Sequence, residues 1–183
     1  PTPHQSSAAS DVYKRQAPGL QLLLCCKYNA KGGASIMVDG LSIARELKKN
    51  HQKLFKTLTE IKVKGKYLGD GVDLQAKRPV FRLNNHKEIV QVSFNNYDRA
   101  PIDLPYKSTL EFYNAIKKFD QLANSKKYQW RHILRPGELL IFNNWRVMHG
   151  RGSFSGKRKM AGCYINKEDF DSCCRMNSII NYI

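Results

Sequence analysis

The fold is decided in the stretch at residues 136–151, which reads PGELLIFNNWRVMHGR. The proline and glycine at its start are turn residues, since proline fixes φ and glycine tolerates backbone conformations that other residues avoid. The apolar run at residues 139–142 predicts a strand, and a polar segment at residues 143–152 follows it. His149 lies in that segment beside a glycine, so we expect its imidazole to be exposed at a strand end.

The chain upstream predicts short strands and turns, with helices inserted after the second strand. Apolar runs at residues 20–27 and 35–38 indicate two strands, with a turn at residues 29–33 between them. Apolar spacing predicts helices at residues 41–49 and 54–61, the second capped by Asn50. Residues 65–77 contain three glycines and are predicted as a loop. Asn84-Asn85 marks a hairpin between residues 79–83 and 88–94.

The clearest helix is predicted at residues 106–123, where Ser108 and Glu111 form a capping box and the apolar residues share one face. Residues 158–165 predict a further strand, and residues 170–176 predict a terminal helix. Together these elements predict an all-β core decorated by helices.

The composition limits the classes of partner. The 183 residues suit one domain, and 31 basic against 15 acidic residues give a net charge of +16. Such a charge can indicate a nucleic-acid partner, but the lysines and arginines are spread along the chain. We therefore expect no specific nucleic-acid partner, with a basic nucleic-acid-binding domain kept as an alternative. No apolar stretch reaches the roughly 20 residues of a membrane span, so we expect no membrane partner.

The cysteines predict free thiols in a reducing compartment. Their number is odd and two pairs are adjacent in sequence, which suits no disulfide framework. The Cys-x-x-Cys spacing of many zinc sites does not occur. We expect an intracellular location, mitochondrial or cytoplasmic. The five are Cys25, Cys26, Cys163, Cys173 and Cys174.

Two residues in and after the opening stretch carry candidate chemistry. A neutral imidazole such as that of His149 is a good Fe(II) ligand, although a structural histidine would fit the same spacing. Arg158 lies nine residues later at the start of a predicted strand, and antiparallel pairing would bring it back beside His149. A guanidinium forks two hydrogen bonds onto a carboxylate, which suits a dicarboxylate cosubstrate. The alternative is a solvated arginine in the Lys157-Arg158-Lys159 run.

Several motifs occur together in a characteristic order. They are GASIMVDG at residues 33–40, NNYDRA at 95–100, PGELLIF at 136–142, NWRxxHGR at 144–151 and RxxxGCY at 158–164. In this order they resemble the dioxygenases of carnitine biosynthesis, which act on trimethyllysine or gamma-butyrobetaine. The resemblance runs from about residue 17 to residue 175. NNYDRA and the spacing from His149 to Arg158 favour the trimethyllysine enzymes, whereas the helix at residues 113–125 is closer to the butyrobetaine enzymes.

The resemblance implies a double-stranded β-helix, or jelly-roll, core with inserted helices. It also implies hydroxylation of a trimethyllysine-like amino acid that depends on Fe(II) and 2-oxoglutarate, with ascorbate as a candidate reductant. The expected partner is a small molecule with a quaternary ammonium, and a homodimer is left open. By resemblance, His149 is the iron ligand, and Arg158 and Ser35 bind the cosubstrate. Tyr164 forms one wall of an aromatic cage for the cation. Asn95 or Asn96 binds the polar end of the substrate.

One departure from the family pattern affects the metal site. The family carries two iron ligands in a His-x-Asp pair about ten residues before its Pro-Gly, and counting back from Pro18-Gly19 reaches Ala8 and Ser10. Neither residue binds iron. We therefore expect residues 1–16 to be a flexible or non-native segment and residues 17–183 to be a partial catalytic domain, inactive by itself. The alternatives are a degenerate, non-catalytic binding member of the family and a gamma-butyrobetaine hydroxylase.

Overall fold

The computed structural model describes residues 17–69, 72–95 and 99–177. The strands of these residues are β1 (Leu20–Gly32), β2 (Ser35–Asp39), β3 (Val63–Gly69), β4 (Val72–Arg78), β5 (Phe81–Leu83), β6 (Ile89–Val92), β7 (Gln129–His132), β8 (Leu139–Asn143), β9 (Val147–Arg151) and β10 (Phe154–Ile165). The helices are α1 (Gly40–Asn50), α2 (Gln52–Glu60), α3 (Tyr106–Ala123) and α4 (Lys167–Met176), with a 3-10 turn at Lys126–Tyr128. Residues 1–16, predicted to be flexible or non-native, lie outside this description.

Two antiparallel sheets of three strands each form the centre of the molecule. The first sheet has the order β10-β1-β8, and the second has the order β7-β2-β9. Two separate hairpins, β3–β4 and β5–β6, accompany them. The chain is thus mainly β with helices inserted after the second strand, as predicted. Within the described ranges, no helix has the length and apolar character that crossing a bilayer requires.

The hydrophobic core lies between the helices and one face of the second sheet. Phe119 of α3 packs against Phe81 and Phe94, with ring centroids 5.7 and 4.8 Å apart. Val38 of β2 and Met148 of β9 join this core, which therefore supports the second sheet from behind. Its largest fully buried side chains are Ile43, Leu47, Leu58, Phe81, Phe112 and Phe119.

The other face of the second sheet looks toward the first sheet. Side chains alternate along a strand, and residues directly opposite in an antiparallel pair share a face. Because Val38 points into the helical core, Met37 points the other way, and His149 lies opposite Met37. The ring of Phe142, in the first sheet, lies 5.1 Å from the His149 ring. We call the space between these facing surfaces the barrel interior.

The first sheet presents a continuous row of side chains to the barrel interior. Gln21 of β1 lies opposite Phe142 on one side and Tyr164 on the other. Arg158 shares the face of Tyr164, since the two are six residues apart on β10. The long β1–β10 pair therefore places Arg158 and Tyr164 at different points along the same interior surface.

Strands occupy most of two segments that were predicted as a turn and a loop, and part of a third that was described only as polar. Residues 29–32 continue β1, because β10 is long enough to pair with it as far as Gly32 opposite Phe154. Most of the predicted loop at residues 65–77 lies in strands β3 and β4, paired as a hairpin. The polar segment at residues 143–152 contains β9, which carries His149. Among the described strands β9 is a sheet edge, so its sequence lacks the apolar pattern of a buried strand.

The helix caps differ from those predicted, although α3 has the predicted bounds. Asn50 is the last residue of α1, and its side chain binds Glu46 at 2.7 Å. Helix α2 begins after His51 without a side-chain cap. Helix α3 begins directly after Pro105, again without one, so Ser108 and Glu111 lie inside the helix and form no capping box. Pro105 is itself the cap residue, and its side chain has no atom that could accept a hydrogen bond from the helix N-terminus.

Candidate functional site

His149 lies on β9 at the wall of a cavity. This cavity has a volume of about 570 Å³, and Asn95, Met148 and Arg151 are among the residues that line it. The imidazole is accessible from the cavity, but the surrounding protein replaces much of its bulk water and lowers its pKa below the ordinary value. His149 is therefore neutral at pH 7, which is the form that binds metal ions.

The start of β9 is held by an ion pair to the end of β2. Asp39 accepts hydrogen bonds from Arg146 Nε at 3.0 Å and Nη2 at 2.6 Å, from the Leu41 amide at 3.0 Å and from the Ser42 hydroxyl at 2.9 Å. Burial raises the pKa of Asp39, but these partners, Arg146 foremost, outweigh it and bring the pKa to about 2. The same carboxylate thus begins α1 and fixes the turn that leads to His149.

A second set of contacts holds this turn against the start of β1. Trp145 donates from Nε1 to the Ala17 carbonyl at 2.8 Å, and Asn144 donates to the Pro18 carbonyl at 3.0 Å. No role for Asp39 or Arg146 was predicted from the sequence. A helix-capping aspartate directly after a predicted strand was the available signal for Asp39.

Arg158 lies on β10, on the face that looks into the same interior. Its Nη1 donates to the Gly33 carbonyl at 2.9 Å, and its guanidinium lies over the Phe154 ring at 5.5 Å. Its Nε is buried and has no hydrogen-bond partner among the described residues. A buried guanidinium N–H without an acceptor is costly, so this donor fits a carboxylate ligand. Lys157 and Lys159 are exposed on the opposite face of β10.

Gly33 makes room for this arginine. Its φ of +74° suits glycine, and a Cβ at this position would lie 3.0 Å from Arg158 Nη1 and 3.1 Å from Phe154 Cβ. The unpartnered Nε of Arg158, in a space that the glycine keeps open, therefore fits a carboxylate group such as the one that 2-oxoglutarate carries.

The predicted strand pairing of His149 and Arg158 is wrong. β10, with Arg158, pairs with β1, whereas β9, with His149, pairs with β2. The two residues therefore come from different sheets that face one another and are not neighbours in one sheet. Local spacing predicted a hairpin, but the jelly-roll crossover sends consecutive strands to opposite sheets.

Ser35 and Tyr164 lie on opposite walls of the interior. Ser35 is buried and is paired with Arg151 on one side and His132 on the other. Tyr164 accepts a hydrogen bond from Gln21 Nε2 at 3.1 Å. The Gln21 side chain is 3% exposed, and no described residue donates to its Oε1. No role for Gln21 was predicted from the sequence. A glutamine inside an apolar run was the available signal for a buried polar residue.

The structure brings Asn95 and His149 to one cavity. Asn96, the alternative to Asn95, lies outside the described residues. The described residues contain no group of three or more His, Cys, Asp or Glu side chains that could hold a metal ion. They therefore do not form an Fe(II) site, since iron sites of this type use two histidines and one carboxylate. Positions 8 and 10, where the family carries the other ligands, lie in the undescribed segment.

Comparison with known proteins gives relatives of two substrate classes. The chain is 36% identical over 172 residues to trimethyllysine dioxygenase of Meyerozyma guilliermondii, covering 91% of this chain and 43% of the relative. It is also 36% identical over 157 residues to human gamma-butyrobetaine dioxygenase, covering 80% and 40%. Mitochondrial trimethyllysine dioxygenase of Bos taurus is 30% identical over 171 residues, covering 90% and 41%. The chain thus spans about two fifths of the length of these relatives.

Solved structures confirm the fold. An asparagine oxygenase in complex with Fe(II), 3-hydroxyasparagine and succinate superimposes with a TM-score of 0.66 at 16% identity, covering 91% of this chain and 50% of that one. The protein AAD-2 in complex with Mn(II) and N-oxalylglycine superimposes with a TM-score of 0.63 at 12% identity, covering 84% and 65%. The predicted jelly-roll core is therefore correct. The model of the taurine catabolism dioxygenase TauD, TfdA family matches residues 3–164, and the chain belongs to this family.

Proposed function

We propose that the protein is an Fe(II)- and 2-oxoglutarate-dependent hydroxylase of a trimethylammonium amino acid in carnitine biosynthesis. The observation that carries this proposal is Arg158, whose buried Nε lacks a described acceptor and whose guanidinium faces the barrel interior. The names of the relatives support the dioxygenase reaction and the two candidate substrates, and the resemblance of the ordered motifs supports the pathway. The expected location is the mitochondrion or the cytoplasm, and several relatives are named as mitochondrial.

In this proposal Arg158 binds the remote carboxylate of 2-oxoglutarate. The Gly33 carbonyl orients the guanidinium through Nη1, which leaves Nε and the remaining N–H groups for the carboxylate. Two parallel hydrogen bonds from one guanidinium define both position and direction of a carboxylate. Ser35, buried close to Gly33, provides a hydroxyl for the same cosubstrate.

The substrate is held by its two ends. A trimethylammonium group donates no conventional hydrogen bond and is bound best over aromatic faces, which is the role that we assign to Tyr164. The hydrogen bond from Gln21 fixes the position of the Tyr164 hydroxyl. Asn95 lines the cavity at His149 and provides amide groups for the polar end of the substrate.

Activity requires two metal ligands beyond His149. We infer that a chain with histidine and aspartate at positions 8 and 10 completes the site, because the family places its His-x-Asp pair at this distance from Pro18-Gly19. The test is the double variant Ala8→His, Ser10→Asp. Mn(II) affinity, measured by calorimetry without oxygen, should rise from undetectable to micromolar. The matched control adds His149→Ala to the double variant and should lose this affinity.

Turnover in the same variants tests the reaction. With Fe(II), ascorbate, 2-oxoglutarate and oxygen, the double variant should release succinate and convert trimethyllysine to a product one oxygen atom heavier, detected by mass spectrometry. Preferential conversion of gamma-butyrobetaine would instead assign that substrate. A double variant that binds Mn(II) and 2-oxoglutarate but converts neither compound would contradict the hydroxylase proposal.

The second candidate function is a degenerate family member that binds a small carboxylate without turnover. Ala8 and Ser10 favour it, because neither side chain can complete the iron site. The messenger RNA of the source organism distinguishes the two candidates, because it shows which residues are encoded before residue 17. A His-x-Asp pair in the transcript before residue 17 supports the enzyme, and Ala8 and Ser10 in that transcript support the binding protein.

A further inference from the structure

We propose that Arg151 is a second guanidinium of the dicarboxylate site and binds the remote carboxylate together with Arg158. This inference rests on the proposed function, because it extends the cosubstrate site assigned to Arg158. The two guanidiniums lie against the same aromatic ring: the Cζ of Arg151 is 4.4 Å from the Phe154 centroid, and that of Arg158 is 5.5 Å from it. Their separation cannot exceed the sum of these distances.

Strand register places Arg151 beside the other residues of this site. It lies on β9 two residues after His149, so both side chains leave the strand on the interior face. It is directly opposite Ser35, the other residue assigned to the cosubstrate. Unlike Arg158, Arg151 is exposed and lines the cavity that His149 lines. It can therefore meet a ligand that enters from the cavity.

The two guanidiniums of this region have no acidic counterpart among the described residues. Neither Arg151 nor Arg158 forms an ion pair with an acidic side chain within the described ranges. Both guanidiniums contact the Phe154 ring, which carries no charge. Two guanidiniums held near one another repel, although solvent at the exposed Arg151 screens part of this repulsion. A ligand carboxylate between them removes the repulsion and supplies acceptors for both. The arrangement therefore favours a ligand with a charged remote end.

Paired ligands that differ only in that end provide the test. 2-Oxoglutarate carries the remote carboxylate, whereas 2-oxoglutaramate carries a neutral amide there. Binding of each to the metal-free 183-residue chain is measured by NMR titration for the wild type and for Arg151→Gln, Arg151→Lys and Arg158→Gln. Lys157→Gln is the control, since it removes one positive charge next to Arg158 from the outer face of β10. Thermal melting checks that each variant is folded.

Arg151→Gln should weaken 2-oxoglutarate binding about ten-fold or more, as expected for a charge-assisted hydrogen bond, and should change 2-oxoglutaramate binding little. Arg151→Lys should recover part of the loss, and Lys157→Gln should leave both affinities unchanged. An equal loss for both ligands would show that Arg151 only supports the structure and would overturn the inference. If Arg158→Gln weakens 2-oxoglutarate binding and Arg151→Gln does not, the inference about Arg151 is overturned while the cosubstrate site at Arg158 stands. Failure of the wild-type chain to prefer 2-oxoglutarate would overturn the assigned cosubstrate site as well.

Discussion

Replacing Asp39 by asparagine removes the charge that holds β9 in place and keeps the shape of the side chain. The pKa of Asp39 falls from 3.8 to about 2 in the folded protein, because Arg146, Ser42 and the Leu41 amide outweigh the effect of burial. This difference corresponds to about 2.5 kcal/mol. The Arg146 side chain is 49% exposed, so solvent screening reduces the contribution. We expect Asp39→Asn to lower the free energy of unfolding by about 1–2 kcal/mol at pH 7.

The pH dependence follows from the sign of the pKa difference. The unfolded chain binds a proton at Asp39 near pH 3.8, whereas the folded protein keeps the carboxylate ionised down to about pH 2. The stabilisation is therefore fully present above about pH 5 and is lost as the pH falls from about 4 to 2. Urea unfolding of wild type and Asp39→Asn at pH 7, 5 and 3 should show a constant difference at the first two values. At pH 3 the difference should shrink to about half.

A double-mutant cycle assigns this effect to the ion pair. Arg146→Gln and the double variant Asp39→Asn, Arg146→Gln complete the cycle, and the coupling energy should be about 1 kcal/mol. The two variants should also broaden or shift the NMR signal of His149, since the pair fixes the turn before β9. A coupling energy of zero, or a stability difference that does not change between pH 7 and pH 3, would refute the reasoning.

Three further predictions concern the core, the arginine pocket and the surface charge. Phe119→Ala should lower the free energy of unfolding by about 3–5 kcal/mol in urea titrations, because the ring is fully buried against Phe81 and Phe94; a loss below 1 kcal/mol would contradict this packing. Gly33→Ala should reduce both stability and 2-oxoglutarate affinity, since its Cβ would meet Arg158 Nη1 at 3.0 Å with φ at +74°, and unchanged affinity by NMR titration would argue against the pocket. Fluorescence anisotropy should show only weak DNA binding that falls steeply with salt, and tight, sequence-selective binding at physiological salt would contradict the dispersed +16 charge.

Local patterns in the sequence predicted the elements that local physics determines. Helix α3 has the predicted bounds because its apolar residues repeat with the helical period and bury one face. The β5–β6 hairpin follows from the Asn84-Asn85 turn between two strand patterns. The jelly-roll core was predicted from the resemblance of the ordered motifs. The spacing of residues within the chain did not predict it.

Non-local pairing accounts for the errors. The end of β1 contains turn residues, yet it is extended because β10 provides hydrogen bonds as far as Gly32. The strand that carries His149 was predicted as a polar segment, because an edge strand needs no apolar alternation. The meeting of Arg158 with Gly33, 125 residues away in sequence, depends on which sheets face each other. Spacing from His149 to Arg158 alone gave the wrong partner strand.

Gln21 and Arg151 show a similar limit at the level of single residues. A glutamine in an apolar run and an arginine in a basic chain are ordinary in sequence. Only the packed structure shows that Gln21 binds Tyr164 and that Arg151 shares the Phe154 ring with Arg158. Burial and orientation, which depend on both sheets together, distinguish these residues from their neighbours.

The affinity of the metal-free chain for 2-oxoglutarate, compared between wild type and Arg158→Ala, shows whether Arg158 binds the cosubstrate. Removing one partner of a charge-paired contact costs on the order of 2–5 kcal/mol, or roughly thirty- to several-thousand-fold in affinity. We predict a loss in this range for Arg158→Ala and a smaller loss for Arg158→Lys, because an ammonium cannot reproduce the guanidinium fork. Lys157→Ala and Lys159→Ala should bind as the wild type does, since both lysines are exposed on the other face of β10. Unchanged affinity in Arg158→Ala, with binding lost in Lys157→Ala or Lys159→Ala instead, would contradict the account.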